Sequence, residues 1–248
     1  MIPSSGPSGL WNLRFLPFQP DSLLSSSTAA GTPILPLRSN LWVRSALGEP
    51  GLSEAKRLYL ASGNAGKLKE FQVLAAGHAL ALQLLPGFLS LPEFEENAPT
   101  FAENAAGKAL YYSRHCGETV FADDSGLVVP ALNGAPGVLS ARYAGPRASD
   151  EQRIAKLLAE LRAGQGAPRT AHFVCVIAAA RQGRAVAVVS ARVDGEILEG
   201  PRGTGGFGYD PVFLIPQLGK SFSELRPEEK NRFSHRGKAF RRLLEALE

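Results

Sequence analysis

The chain of 248 residues is 44% hydrophobic and 20% charged, which predicts a globular protein and argues against wholesale disorder. Its net charge of +4 suits an anionic ligand, but the absence of any long basic run argues against nucleic acid. No run of about 18 apolar residues is present, so we expect no membrane-spanning helix. Cys116 and Cys175 lie too far apart in sequence to suggest zinc or a disulfide framework, which fits a reducing cytoplasm.

Residues 1–56 differ in composition from the rest of the chain. They are rich in Ser, Pro, Gly and Leu and show no sustained hydrophobic period, which is typical of loops. A transit peptide is one interpretation, because Asp21 is the only acidic residue before Glu49, whereas a bacterial signal peptide fits poorly. Another is that part of the segment is not native and that translation starts downstream, with Val43 as one candidate. We therefore expect a disordered or non-native extension, followed by one globular domain over residues 57–248.

From residue 57 onward, apolar patterning predicts alternating strands and helices. The first half should contain strands at 57–62, 79–85 and 119–122, and helices at 66–76 and 100–116. Thr100 and Glu103 have the spacing of a capping box. The third strand should stop at Asp123-Asp124-Ser125-Gly126, and Asn133-Gly134 should form a tight turn.

In the second half, Ser149 and Gln152 predict another capping box, opening an amphipathic helix. Residues 171–180 and 185–193 should pair as a hairpin around Gln182-Gly183, followed by a strand at 212–215 and a C-terminal helix. Helices mixed with strands, of which at least one pair is antiparallel, predict an α/β or mixed α+β fold around a central sheet.

The turn between the first predicted strand and helix has the composition of a phosphate-binding loop. Helix-start N–H groups, flexible glycines and a lysine suit a phosphate. The segment lacks the glycine and Ser/Thr of a Walker A motif, so an ordinary structural turn is the alternative. Its residues are Ser62, Gly63, Asn64, Ala65, Gly66 and Lys67.

Several carboxylates are candidates for a metal site. Glu95 and Glu96 lie in a predicted loop, Glu103 on the next helix, and Asp123 and Asp124 at a strand end. Magnesium prefers oxygen ligands, and two aspartates after an apolar strand are costly to bury unless they bind something. The alternatives are a helix cap for Glu103, a solvated loop for Glu95 and Glu96, and a plain turn for the aspartates.

Two later segments have the residues of a base-binding surface. Gly203–Gly208 matches GxGxxG, but no helix follows, so it is not a dinucleotide fingerprint. Phe207 can stack on a purine and Asp210 can bond its edge, while His235 and Arg236 supply donors. Lys230 supplies positive charge and, with Lys67 and the loop N–H groups, can hold the phosphates. The alternatives are a glycine-rich hairpin and the solvated start of the last helix.

Six blocks in this order, SGNAGK, TFAENAAGKA, FADDSGL, GAPGVLSARYAG, GTGGFGYDP and EEKNRFSHRGKA, resemble the inosine triphosphate pyrophosphatase family over residues 57–248. The resemblance implies an elongated mixed sheet with two lobes, a substrate cleft between them, and a homodimer. It also implies Mg²⁺-dependent attack of water on the α-phosphorus of ITP, dITP or XTP, which removes these nucleotides from the pool before they enter DNA or RNA.

By this resemblance, Asp124 is the catalytic proton acceptor and a metal ligand, Glu96 is the second metal carboxylate, and Ser125 contacts substrate. The other implied nucleotide contacts are Ser62, Gly63, Asn64, Ala65, Gly66, Lys67, Phe207, Gly208, Tyr209, Asp210, Lys230, His235 and Arg236. The family pattern Glu-Glu-Thr-Gly is here Glu95-Glu96-Asn97-Ala98, which leaves Glu95 open as the ligand, and Asp123 stays open as the base.

The hypothesis for selectivity concerns position 6 of the purine, where hypoxanthine and xanthine carry a carbonyl and adenine an amine. A donor such as Arg236 satisfies the carbonyl and leaves adenine unpaired. Guanine would be excluded at its 2-amino group, near Asp210 or the backbone. The alternative functions are a pyrophosphatase for modified pyrimidines or methylated bases, a nucleotide-binding regulator without turnover, and a nucleic-acid-binding module, for which no basic stripe with aromatics is present.

Overall fold

The computed structural model describes residues 56–248, and the predictions for residues 1–55 lie outside this range. One seven-stranded sheet has the order β2-β1-β3-β4-β5-β6-β7, in which β1 pairs in parallel with β2 and β3 and all other pairs are antiparallel. The mixed α/β fold is thus confirmed. The strands are β1 Lys56–Leu60, β2 Leu80–Leu84, β3 Thr119–Val128, β4 Thr170–Arg181, β5 Arg184–Ile197, β6 Phe213–Ile215 and β7 Lys220–Ser221.

Five α-helices flank this sheet in the described range: α1 Ala65–Ala75, α2 Phe101–Tyr112, α3 Asp150–Ala163, α4 Pro227–Phe233 and α5 His235–Leu247. None of the helices within residues 56–248 is long and apolar enough to cross a membrane. The predicted second helix extends to Cys116, but α2 ends at Tyr112 and a 3-10 turn, Ser113–His115, follows. The sequence patterns missed α4 and β7, because a seven-residue helix and a two-residue strand are too short to show a hydrophobic period.

The predicted end of the third strand at Asp123 is wrong. β3 continues through both aspartates to Val128, and it stays paired with β4, with Asp123 opposite Ile177 and Asp124 opposite Val176. The polar residues do not break the strand, because its backbone bonds are supplied by the long apolar strand β4. Successive side chains of a strand point to opposite faces, so the two aspartates face opposite sides of the sheet.

The predicted capping residues lie at the starts of α2 and α3, and the predicted hairpin turn lies between β4 and β5. Ser149 and Gln152 form the full capping box of α3. At α2, Thr100 accepts the N–H of Glu103, but the Glu103 carboxylate accepts the Thr100 hydroxyl rather than a backbone N–H, so only half of that box forms. Gln182 and Gly183, with φ of 50° and 74°, make the tight β4–β5 turn, which suits the right-handed twist of the strands.

Apolar packing divides the described chain into two regions along the long strands. At one end, α1 and α5 cover one face of β1, β3 and β4, and α2 covers the other. At the other end, α3 packs on Leu127 and Val129, on the start of β4, the end of β5 and on β6. The polar residues at the middle of β3 lie between these regions, so the fold presents them where the two apolar regions meet.

Candidate active site

The candidate site forms where β3 extends past β1. The pairing of these parallel strands ends at Leu60 and Phe121, whereas β3 runs on to Val128. The chain after β1 turns through Gly63 into α1, whose first N–H groups therefore lie beside the middle of β3. Open edges next to the carboxyl ends of parallel strands, with a helix N-terminus nearby, are the usual ligand sites of α/β sheets.

Asp124 lies on the α2 face of the sheet and is held by two hydrogen bonds. Asn104 Nδ2 donates to its Oδ2 at 3.0 Å, and the N–H of Ser125 donates to its Oδ1 at 2.9 Å. Burial, reinforced by the negative charge of Glu96, raises the pKa of Asp124 to about 6, against the opposing effect of Lys67. A carboxylate with such a pKa is ionised near neutral pH and can still accept a proton.

Glu96, rather than Glu95, is the carboxylate that shares this face. Lys108 of α2 forms an ion pair with Glu96, and Arg142 Nη2 donates to the backbone oxygen of Glu96 at 2.9 Å. The Glu95 side chain instead accepts from Asn97 at 2.9 Å within its own loop. This local geometry favours Glu96 as a partner for Asp124.

Lys108 is a functional candidate that sequence reasoning missed. Its side chain is 9% exposed. Burial alone would lower its pKa, but the charges of Asp123 and Glu96 raise it. The signal was present in the sequence, because Lys108 follows Asn104 by four residues and so shares its helix face.

Asp123 occupies the opposite face and has a different electrostatic setting. Its carboxylate meets Lys67 Nζ at 3.0 Å and Arg236 Nε at 3.6 Å, and it accepts the Ser125 hydroxyl at 3.1 Å. Burial alone would raise its pKa, but the positive charges of Lys67 and Arg236 hold the pKa of Asp123 well below its usual range. A carboxylate so strongly stabilised as an anion is a poor proton acceptor, so the structure favours Asp124 over Asp123 as a base.

Glu70 on α1, also missed from the sequence, joins the cations on this face. It pairs with Arg236 and, at 2.5 Å, with Lys230. Burial would raise its pKa, but Arg236 and Lys230 lower it. Glu70 follows Lys67 by three residues on one helix face, and that spacing was the available signal.

Arg236 and Lys230, both predicted, meet beside the glycine-rich segment. Arg236 donates to Ser125 Oγ at 2.9 Å, and its guanidinium carbon lies 5.5 Å from the centre of the Phe207 ring. Lys230 pairs with Asp210 and lies 5.0 Å from the same ring. The described contacts of Lys230 are therefore with the aromatic end of the site.

Phe207 packs over the start of α1. A Cβ added at Gly66 would lie 2.9 Å from the Phe207 ring, so this glycine makes room for it. Asp210 is buried, accepts the N–H of Phe207 at 2.9 Å, and so holds the turn that presents the ring. Burial raises the pKa of Asp210. The Asp210 carboxylate accepts hydrogen bonds from the Phe207 N–H and from Lys230. The predicted hydrogen bond between Asp210 and the edge of a base therefore stays a prediction.

His235 is buried at the start of α5 and stacks on Phe173 with ring centres 4.6 Å apart. Burial and the nearby positive charges of Arg236 and Lys230 place its pKa well below the ordinary value. This favours the neutral imidazole, which donates one hydrogen bond from one ring nitrogen and accepts one at the other.

The predicted phosphate loop begins α1. Asn64 caps the helix by accepting the N–H of Lys67 at 3.0 Å, and Ser62 Oγ accepts the N–H of Asn64 at 3.2 Å. These bonds fix the turn and direct Lys67 toward Asp123. The structure thus brings together the loop, the aspartates, Glu96 and the residues of the two later segments.

The carboxylates of this site suit a divalent cation that is held partly by the protein and partly by the phosphates of a ligand. Within residues 56–248, no group of three His, Cys, Asp or Glu side chains forms a metal cage. Magnesium is usually held by one or two carboxylates plus substrate phosphates. Asp124 and Glu96 match this kind of metal site. The negative charge of Glu96 raises the pKa of Asp124, and a bound cation would offset the charge of both carboxylates.

The mixed-sheet α/β scaffold brings carboxylates, lysines and a helix start to one strand edge, next to an aromatic loop, which is an arrangement typical of proteins that bind nucleotides. The Ham1 family model matches residues 58–246, and the chain belongs to the Ham1 family. This confirms the resemblance found in the sequence, since relatives of this chain carry the name dITP/XTP pyrophosphatase.

The dITP/XTP pyrophosphatase of Geobacillus kaustophilus is 52% identical over 193 residues, which cover 78% of this chain and 95% of that protein. The dITP/XTP pyrophosphatase of Gloeobacter violaceus is 52% identical and covers 75% of this chain and 92% of its own length. A solved HAM1 protein from Coxiella burnetii is 42% identical, with a TM-score of 0.70, over 77% of this chain and 98% of its own.

Proposed function

We propose that this chain hydrolyses non-standard purine nucleoside triphosphates, such as ITP, dITP and XTP, to the monophosphate and pyrophosphate. Residues 57–248 form the catalytic domain in this proposal. The observation that carries it is the contrast between two adjacent aspartates: Asp124 has a pKa raised to about 6 beside Glu96, while Asp123 is locked among cations. The dITP/XTP pyrophosphatase names of the relatives support the same reaction.

Asp124 acts as the general base in this proposal. Its carboxylate takes a proton from water as the water oxygen attacks the α-phosphorus. The bond from that phosphorus to the bridging oxygen breaks, and pyrophosphate leaves with the bond electrons. Asn104 and the Ser125 N–H keep the carboxylate oriented during the transfer.

The phosphates are bound by positive charge from both faces of β3. Lys67 supplies it from α1 and Lys108 from α2, and the N–H groups at the start of α1 add donors. Mg²⁺, held by Asp124 and Glu96, would offset the charge that develops on the phosphate oxygens. Fixed charges of this kind stabilise the transition state without reorganising during the reaction.

The base is bound at the other end of the site. Phe207 stacks on the purine, while Arg236 and the neutral His235 supply donors for the 6-carbonyl. Adenine offers an amine at that position and would leave these donors unpaired, which is the kind of mismatch that gives strong rejection. Glu70 holds Arg236 and Lys230 in place.

The test is pyrophosphate release from ITP, XTP, dITP, GTP, ATP and dTTP, each with Mg²⁺ and with EDTA. The proposal requires metal-dependent release from the first three substrates and much slower release from GTP and ATP. Rapid cleavage of dTTP would contradict the purine site, and binding of ITP without cleavage of any substrate would favour a regulator.

We also propose a homodimer working in the cytoplasm, on the basis of the family resemblance. Leu89, at 83% exposure, and Val186, at 49%, are apolar side chains available for a subunit contact. Light scattering gives the mass directly, and a monomer at micromolar concentration would contradict the dimer.

A further inference from the structure

Asp150 stands in the first turn of α3, next to the glycine-rich segment that carries Phe207. Its Oδ2 accepts a hydrogen bond from the N–H of Gly208 at 2.6 Å, and its Oδ1 accepts one from Arg153. We propose that Asp150 is a positioning residue that sets the place of Phe207, and so controls how tightly the purine is held. The inference rests on the proposed function and extends its base subsite to α3.

The start of α3 leaves the Asp150 carboxylate available for this contact. Ser149 and Gln152 cap the helix reciprocally, so the cap does not need Asp150. Arg153 binds both Asp150 and the backbone oxygen of Ala141, which fixes the direction of the carboxylate. A hydrogen bond from a backbone N–H to a carboxylate is about twice as strong as one to a neutral acceptor.

The segment that Asp150 contacts has a backbone that needs such support. Gly206 and Gly208 have φ of 76° and 63°, in the left-handed region that glycine tolerates. Asp210 holds the Phe207 N–H from within the segment, and the Tyr209 hydroxyl donates to the backbone oxygen of Ser140 at 3.0 Å. Asp150 is the contact from α3, and it acts on the peptide group that directly follows Phe207.

The position of Asp150 predicts that its loss weakens the binding of the base and leaves the binding of the phosphates unchanged. The carboxylate contacts Gly208 and Arg153. The lysines proposed to bind phosphate have other partners, since Lys67 pairs with Asp123 and Lys108 with Glu96. Loss of the Asp150 carboxylate therefore loosens the ring without changing the charges that bind phosphate. A ligand with a base should bind more weakly, and a ligand that is only phosphate should not.

The experiment compares competitive inhibition by IMP and by pyrophosphate, with ITP as substrate and Mg²⁺ in excess. Asp150→Ala should raise the inhibition constant of IMP about tenfold, as expected for losing a hydrogen bond to a charged group, and leave that of pyrophosphate within about twofold. Asp150→Asn should give an intermediate value, because Gly208 and Arg153 then compete for one oxygen. It also serves if the alanine variant does not fold.

Glu151→Ala is the matched control. Glu151 is an exposed carboxylate in the same helical turn, so its loss has the same effect on the helix dipole. Equal IMP constants for Asp150→Ala and Glu151→Ala would overturn the inference, as would a parallel weakening of IMP and pyrophosphate. A wild-type protein that releases no pyrophosphate from ITP would instead overturn the proposed function, and that result is read without any variant.

Discussion

The two ends of the candidate site are built in different ways. At the end proposed to be catalytic, called the catalytic end below, Asp124 belongs to a central strand and Asn104 and Lys108 to a helix, so regular backbone bonds fix their positions. At the base end, Phe207 sits on a glycine-rich segment that side chains must hold. A substitution at the catalytic end should therefore change the rate of the reaction while the backbone around it stays in place. A substitution at the base end should first change the position of Phe207.

The largest expected effect is on turnover at the catalytic end. Asp124→Asn removes the proton acceptor, so kcat for ITP should fall by roughly two to four orders of magnitude, the range of general-base contributions. The fold should persist, because asparagine keeps the shape and burial disfavours the charge that is removed. ITP binding measured with EDTA should also persist, whereas binding with Mg²⁺ should weaken, since the metal loses one of its two proposed ligands. Stopped-flow or coupled assays give kcat, and calorimetry gives binding.

Asp123→Asn is the comparison for that variant. It removes a buried anion that faces Lys67 and Arg236, so the main loss should be in stability. An Asp124→Asn protein with wild-type kcat would remove Asp124 from the mechanism.

The next effect is on the ion pairs that join the two ends. Glu70→Gln removes the anion that Lys230 and Arg236 share. Because these cations keep Asp210 and Asp123 as partners, the loss should be about 1.5–3 kcal/mol in the free energy of unfolding, as for a hydrogen bond to a charged group. Urea denaturation measures this loss. Glu245→Gln, at an exposed position on α5, should change stability by less than about 0.5 kcal/mol. Similar losses for both variants would show that the Glu70 network does not stabilise the fold.

A smaller effect, on the KM for ITP, is expected from a substitution in α1 next to the Phe207 ring. Gly66→Ala adds a methyl group 2.9 Å from the Phe207 ring and should raise the KM for ITP several-fold. Alanine favours a helix over glycine by about 1 kcal/mol, which offsets the close approach of the same methyl group to the capping Asn64 Oδ1, at 3.1 Å, so thermal stability should change little. In a Phe207→Ala background the same substitution should leave KM unchanged. An equal KM increase in both backgrounds would exclude the ring contact as the cause.

The smallest effect concerns pH. The folded pKa of His235 lies well below the unfolded value near 6.5, so below that pH the unfolded chain binds a proton that the folded chain does not. This group therefore contributes stability above pH 6.5 and loses it on acidification, by at most about 1.4 kcal/mol per pH unit. His235→Phe keeps an aromatic ring against Phe173 and should show a shallower loss between pH 6.5 and 5 in denaturant titrations. Identical slopes would contradict a buried neutral His235.

Sequence patterns located most of the fold because caps and apolar stripes are local signals. Ser149 with Gln152 predicted the start of α3, and Gln182-Gly183 the long hairpin. The end of β3 was missed, because the partner strand that carries it through Asp123 and Asp124 is about fifty residues away.

The residues of the candidate site also fall into those that the sequence shows by local motifs and those that depend on tertiary packing. Conspicuous residues such as Asp124, Lys67 and Phe207 could be selected from motifs. Glu70, Lys108 and Asp150 were missed. Helical spacing links Lys108 to Asn104 and Glu70 to Lys67, but each of the three resembles an ordinary helix-surface charge until tertiary packing places it against a distant partner. The choice between Asp123 and Asp124 also needed the structure, since it depends on which face of the sheet each side chain occupies.

We expect binding of the purine at the base end to place the α-phosphorus of ITP next to Asp124. A single turnover of ITP with excess enzyme and Mg²⁺ in ¹⁸O-labelled water, followed by mass spectrometry of both products, shows which phosphorus the water attacks. We expect one labelled oxygen in IMP and none in pyrophosphate. Label in pyrophosphate, or release of inorganic phosphate in place of pyrophosphate, would contradict it.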